Sequence, residues 1–370
     1  MSKLVRKELE IAGKKLVLET GELAGHANGS VVASYGETVV LATAVSQPAA
    51  ADVDFFPLAV DYEERLYAGG KISTSRFIKR EGRPSEEAVL TSRLIDRSIR
   101  PLFPKDYQAE VQVIITVLSV DFENDPDVIA LTAASAALTI SDIPWNGPIA
   151  SVRVGRQNGG FMLNPTEEEK TLSNLDLVIA ATASEITMIE AQADQVEEAA
   201  LVKALEFGLK ESQAVIKLIE DFASVVGVKK QEYQSTKLPP EKELEVKDFI
   251  TGNLVVELEK PEIAQDETWF KSALVRLEEK FLKEEEELIS KKHLADLLDD
   301  AVAKFLRKRI LVDKKRVDSR KPDEIRPITV KVPVLPRTHG SAIFQRGETQ
   351  VLSIATLASP ALEQLIEGMR

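Results

Sequence analysis

The stretch GSVVASYGETVVLATA, Gly29 to Ala44, returns as GSAIFQRGETQVLSIA, Gly340 to Ala355, at a constant offset of 311 residues. Eight of the sixteen positions are identical and the match runs without a gap, through Gly36/Gly347, Glu37/Glu348 and Thr38/Thr349. Two unrelated strand-rich segments have no reason to share the turn as well as the flanks. In each copy, β-branched and apolar residues surround a Gly-Glu-Thr turn, where the glycine can take the positive φ of a tight hairpin. Both segments therefore read as β-hairpins, and a hairpin repeated at this distance reads as part of a larger duplicated unit. The second copy has far less chain behind it than the first. This predicts that its unit is cut short and that the 370 residues are a piece of a larger protein.

Around the first hairpin, DFFPLAVDYEERLYAGG predicts a strand over Phe55–Tyr62 that leaves through a Gly69-Gly70 turn. A helix is predicted over 86–99. Ser85 is its N-cap, Glu86 and Glu87 suit the positive end of its dipole, and Pro101 stops it. A strand at Val111–Val120 comes next, and Asp125-Pro126 opens a second, alanine-rich helix (Ala130, Ala133, Ala134, Ala136, Ala137) whose small side chains allow close backbone packing. Hairpins are predicted over Ser151–Leu163, around Asn158-Gly159-Gly160, and over Asp176–Ala191, before a helical run from Val196 to Val225. Strands in runs with intervening helices point to a mixed α/β core. Past Lys237-Leu238-Pro239-Pro240 the period becomes helical. Leu274, Leu277, Phe281 and Leu288 form one apolar stripe, and Leu294, Leu298, Ala301 and Phe305 another, so a small helical domain separates the two copies. The acidic run Glu284–Glu287 reads as a solvated helix face. The expected organisation is a first core in two parts, 1–145 and 146–238, a helical domain over 239–312, and the start of a second core over 313–370.

With 44% hydrophobic and 29% charged residues the chain has the composition of globular material. The start, MSKLVRKELEIAGKK, has no apolar leader core, and no run approaches the roughly 18 apolar residues of a membrane span, so a cytoplasmic protein is expected. The absence of cysteine rules out disulfides, thiolate zinc sites and a cysteine nucleophile within these residues. A net charge of −13 argues against a polyanionic partner, but the distribution of that charge points the other way. Residues 71–100 carry eight basic side chains against four acidic ones. At 100° per residue, Arg93, Arg97 and Arg100 fall on one side of the 86–99 helix and Ala88, Ile95 and Ile99 on the other. Such a row of guanidiniums can bind successive phosphates, or it can pair with Glu86 and Asp96. The preceding loop, STSRFIKREGRPSE, places Phe77 and Ile78 beside Lys79 and Arg80, with Arg83 following. An aromatic face next to cations suits single-stranded nucleic acid, whose bases stack while the cations follow the backbone; as an alternative, Phe77 is a buried anchor. His26, His293 and His339 are scattered, with no neighbour at metal-ligand spacing, and His26 and His293 read as structural or surface. Asp61, Glu63 and Glu64 are a carboxylate cluster that reads better as a polar strand edge than as a metal site. The chain has no GxxxxGK[ST] loop, no GxSxG elbow and no GxGxxG after a strand.

Two long runs, DFFPLAVDYEERLYAGGKIS and FIKREGRPSEEAVLTSRLIDRSIRPLFP, closely resemble the bacterial polynucleotide phosphorylases, and RTHGSAIFQRGETQVL resembles the start of that family's second catalytic core. The resemblance extends over all 370 residues. It implies an α/β (α+β) fold in which a first ribonuclease PH-like core, an all-helical domain and a truncated second ribonuclease PH-like core follow in order. It also implies 3′-to-5′ phosphorolysis of single-stranded RNA, with inorganic phosphate as co-substrate, nucleoside diphosphates as products and Mg2+ assisting. As partners it implies RNA, a homotrimeric ring, and ribonuclease E with an RNA helicase in a degradosome. By this likeness Phe77, Ile78, Lys79 and Arg80 fall on the loop at the channel neck. Phe77 would stack a base; Lys79, Arg80 and Arg83 would grip phosphates; Arg93, Arg97 and Arg100 would extend the basic path. Ser73-Thr74 depart from the Pro-Gly common in the family, and Arg76 is an added cation. The family's catalytic and metal-binding residues fall downstream of Arg370, so none is assigned here. Of the second core, Arg337 and His339 are expected in the substrate channel. As an alternative, the 370 residues by themselves form a non-catalytic RNA-binding and trimerisation module.

Overall fold

The computed structural model describes residues 4–48, 55–72, 83–233, 238–260, 263, 266, 268–282, 289–318, 320–362 and 369. The chain divides into two compact units, one from Met1–Ser235 with Glu367–Arg370 and the other Thr236–Ile366.

In the first unit, β1 (Val5–Ile11), β2 (Lys14–Thr20), β3 (Gly29–Tyr35), β4 (Thr38–Gln47), β5 (Leu58–Glu63) and β6 (Glu110–Ser119) make a six-stranded sheet in the order β1-β2-β3-β4-β6-β5. All neighbours are antiparallel except β5 and β6. Parallel strands need a crossover, and α1 (Glu86–Ile99) supplies it. Four more strands, β7 (Ala150–Gln157), β8 (Gly160–Leu163), β9 (Leu175–Ala181) and β10 (Ile186–Ala193), form a second antiparallel sheet in the order β10-β9-β7-β8. The alanine-rich helix α2 (Pro126–Ile140) packs on β3 and β4 of one sheet and on β7 of the other, and thirteen of its fifteen residues are buried. A helix apolar on every side belongs in the centre of a core. After the short α3 (Glu167–Thr171), α4 (Glu198–Val226) runs along β1, β7 and β9.

The expected hairpins and helices form within a few residues of their predicted bounds. The strand predicted over Phe55–Tyr62 begins only at Leu58, after Pro57, which has no N–H to give to a ladder. The hairpin β1–β2 is an addition to the predicted elements, although Val5–Ile11 alternates in burial along its length. The turn at Asn158-Gly159 has positive φ at both residues, 50° and 83°, the backbone that a two-residue hairpin favours.

The second unit begins with helices: α5 (Pro240–Phe249), irregular turns over Ile250–Leu254 and Val255–Glu259, α6 (Trp269–Phe281) and α7 (Lys291–Leu311). Leu277, Phe281, Leu294 and Leu298 are buried in one core with Val246, Ile250 and Trp269, while Leu274, Ala301 and Phe305 pack around it. Leu288 and Glu284–Glu287 lie outside the described residues. Then β11 (Ile328–Lys331), β12 (Gly340–Arg346) and β13 (Thr349–Ala355) form a three-stranded sheet.

The two repeated hairpins share one register. Gly29 pairs with Ala44 and Tyr35 with Thr38; Gly340 pairs with Ala355 and Arg346 with Thr349. Gly36 and Gly347 have φ of 62° and 61°. Their surroundings differ. In the first, Val31, Ala33, Val40, Ala42 and Ala44 are fully covered, whereas Phe344 is 41% and Val351 50% exposed in the second.

Candidate nucleic-acid interface

α1 is fixed at both ends. The Ser85 hydroxyl accepts the Ala88 N–H (2.9 Å) and donates to Glu64 (2.6 Å), tying the helix start to the end of β5. Its apolar face, Ala88, Leu94, Ile95 and Ile99, is buried. At its end, Arg100 makes two bonds of 2.6 Å to Asp96 and donates to the carbonyls of Phe56 (3.2 Å) and Leu58 (3.1 Å), with its guanidinium over the Phe56 ring. Of the three arginines on the predicted stripe, Arg100 is thus engaged in holding α1 to the start of β5, through the Asp96 pairing that the sequence left open. The hydrogen bonds that Arg100 donates to Asp96 raise its pKa further, so it is charged at every working pH.

Arg93 and Arg97 stand differently. Both are exposed and both line a cleft of about 550 Å³ beside α1, together with Val60, Leu90, Asp96 and Glu190. Arg93 has no polar partner among the described residues. Arg97 donates to Glu190 of β10 (2.6 Å), and both side chains are more than half exposed. An exposed pair of this kind is weak and salt-screened, so a stronger anion can replace the carboxylate. Arg83 is exposed just ahead of the helix. Phe77, Ile78, Lys79 and Arg80 lie outside the described residues. In the second unit, Arg337 is exposed in the turn before β12, and His339 Nδ1 accepts the Leu357 N–H (2.8 Å).

The expected carboxylate edge does not converge on one point. Asp61 accepts from Gln112, Glu63 pairs with Arg65, and Glu64 serves Ser85. His293 belongs to a capping box with Ser290 at the start of α7. A second charged group has no signature in the sequence. Arg153, 8% exposed on β7, donates to Asp176 (2.6 Å) and Asp127 (2.5 Å) and lies 3.3 Å from Asp125, which also receives Lys170. Burial lowers and the three carboxylates raise the Arg153 pKa, and the carboxylates prevail; burial pushes Asp127 up against the pull of Arg153. These three aspartates converge on cations the chain already supplies, so they do not fit a divalent metal. Among the described residues no group of three or more acidic or histidine side chains is placed to hold one.

Two family profiles match this sequence. The profile of the 3′ exoribonuclease family, domain 1, matches residues 12–144, and that of domain 2 matches residues 147–211. Together they span more than half of the sequence, and the chain belongs to the 3′ exoribonuclease family, with a ribonuclease PH-like first unit. Within that family its likeness is to the polyribonucleotide nucleotidyltransferases. That of Heliobacterium modesticaldum is 45% identical over 362 residues, 98% of this chain and 51% of its own. That of Geobacillus kaustophilus is 46% identical over 361 residues, 98% and 50%, and that of Thermus thermophilus 45% over 376 residues, 98% and 52%. The chain spans about half the length of these curated relatives.

Proposed function

We propose that this chain is the RNA-guiding portion of a polyribonucleotide nucleotidyltransferase that shortens single-stranded RNA from its 3′ end by phosphorolysis. The observation that carries the reading is the pair Arg93 and Arg97, one helical turn apart, open to solvent on a helix whose other face is locked into the core. Two guanidiniums at this spacing can follow two phosphates of one strand. Phe77 would stack a base, Lys79, Arg80 and Arg83 would add cations, and within the second unit Arg337 and His339 would contact the substrate. Arg100 contributes by holding α1 in place.

In the reaction of the whole enzyme, inorganic phosphate attacks the terminal phosphodiester. A new P–O bond forms, the bond to the 3′ oxygen breaks, that oxygen takes a proton, and a nucleoside diphosphate leaves. A divalent ion such as Mg2+ would neutralise negative charge on the oxygens of the attacked phosphate, and the described residues do not fit one. This chain's residues hold the strand and direct its 3′ end. The same reading carries a homotrimeric ring, a cytoplasmic setting and, as partners, ribonuclease E and an RNA helicase. It also takes 1–145 and 146–238 as the two parts of one core, 239–312 as the helical domain and 313–370 as the start of a second core. No helix among the described residues is long and apolar enough to cross a membrane.

The test is to give the 370-residue chain and the full-length enzyme poly(A) with and without phosphate. The full-length enzyme is expected to release nucleoside diphosphates only with phosphate, and the 370-residue chain to bind RNA without degrading it, as a binding and trimerisation module. Each of Arg93→Ala and Arg97→Ala is expected to weaken binding and reduce the salt slope by about 0.7. Monophosphates released without phosphate, or unchanged binding in both variants, would overturn the proposal.

A further inference from the structure

We propose that Glu190 acts as a built-in competitor for the RNA phosphate at Arg97, setting the grip of the cleft below what its arginines could deliver. This rests on the RNA reading of the α1 face and adds a residue that limits affinity. β10 is the edge strand of its sheet, and it reaches α1 where Arg97 projects. The Glu190 carboxylate lies 2.6 Å from the Arg97 guanidinium, in the cleft that Arg93 also lines. A carboxylate, like the two non-bridging oxygens of a phosphodiester, offers arginine anionic acceptors, so the two compete for the N–H donors of the Arg97 guanidinium. Asp96, the other acid of the cleft, is bound at both oxygens by Arg100 and takes no part. The cleft therefore offers two guanidiniums, one without a polar partner among the described residues and one lightly occupied. An incoming strand meets Arg93 directly and must displace Glu190 to reach Arg97.

The consequence is a grip weak enough to release. A strand that advances one nucleotide at a time has to break each phosphate contact, and a carboxylate ready to return to Arg97 lowers the cost of letting go. Because the pair is more than half exposed, displacing it costs little, and its removal is expected to change affinity by about two- to fivefold.

The experiment is fluorescence anisotropy of a labelled oligoadenylate of about 20 nucleotides on the 370-residue chain, with low and moderate salt compared. Glu190→Gln, Arg97→Ala, their double variant and Glu220→Gln, an exposed charge-matched control on α4, are each checked by thermal melting. The expected result is that Glu190→Gln tightens binding about two- to fivefold at low salt, while Glu220→Gln does not. Adding Glu190→Gln to Arg97→Ala is expected to change nothing further. Two outcomes overturn the competitor role while leaving the RNA reading intact: Arg97→Ala weakens binding but Glu190→Gln does not tighten it, or the gain survives in full without Arg97. If Arg93→Ala and Arg97→Ala both bind as the parent does, the RNA reading itself fails.

Discussion

Replacing Gly29 with alanine tests whether the repeated hairpins differ only in what covers them. A Cβ at Gly29 would lie 2.1 Å from the carbonyl oxygen of Ala137 on α2 and 3.0 Å from the Ser141 Cβ. A carbon meets a carbonyl oxygen comfortably at roughly 3.3 Å, so the strand and helix must part by about 1 Å. The obstacle is helix backbone, and α2 cannot retreat because its other side packs on β7. Overpacking a core costs about 1–3 kcal/mol, and a backbone obstacle puts this case near the top, about 2–3 kcal/mol. For a unit of this size that lowers Tm by roughly 5–10 °C. The two tryptophans make the measurement clean, since Trp145 is buried in the first unit and Trp269 in the second. In a Trp269→Phe background, tryptophan fluorescence follows the first unit alone. The matched control is Gly340→Ala, whose methyl would lie 3.3 Å from the Ala355 Cβ. It is expected to change stability, followed by circular dichroism, by less than about 0.5 kcal/mol. A Gly29→Ala transition within that same margin of its parent, or equal losses in the two variants, would refute the reasoning.

Arg100→Met leaves Asp96 and the carbonyls of Phe56 and Leu58 without their donor. It should cost about 1–2 kcal/mol in thermal melting while lowering RNA affinity less than Arg93→Ala; a full loss of binding at unchanged Tm would make it an RNA ligand instead. Arg153→Met strands the carboxylates of Asp127 and Asp176, leaving Asp125 to Lys170 alone, and should cost about 3–5 kcal/mol in urea unfolding, with Arg153→Lys recovering only part because an ammonium lacks the fork; a parental midpoint for the Met variant counts against it. Burial raises the Asp121 pKa, but the backbone N–H groups of Asn124 and Glu123, the Asn124 amide and the Thr38 hydroxyl outweigh it and hold it at about 2, below the ordinary 3.8. Folding lowers this pKa, so its stabilisation is complete above pH 4 and fades as pH falls towards 2. It is on the order of 1 kcal/mol once solvent exposure is allowed for. Asp121→Asn should flatten the acid limb of stability in that window, and an unchanged limb would exclude the assignment.

The parts of this protein legible in its sequence are those whose physics is local. Gly36 and Gly347 announce a positive-φ turn, Ser85 announces the start of α1, and Asn158-Gly159 announces a tight hairpin, because each conformation is decided by residues within a few positions. The duplication is legible for the same reason, since both hairpins carry their register with them. The side of α1 on which three arginines lie is also readable from helical geometry. What each arginine does is not. Arg100 binds carbonyls 44 and 42 residues away, and Arg97 finds Glu190 across 93 residues. Arg153 gathers acids from before α2, from its first turn and from β9. Such partners become neighbours only after two sheets have closed on α2, so only the tertiary structure decides which cation supports the fold and which faces the solvent.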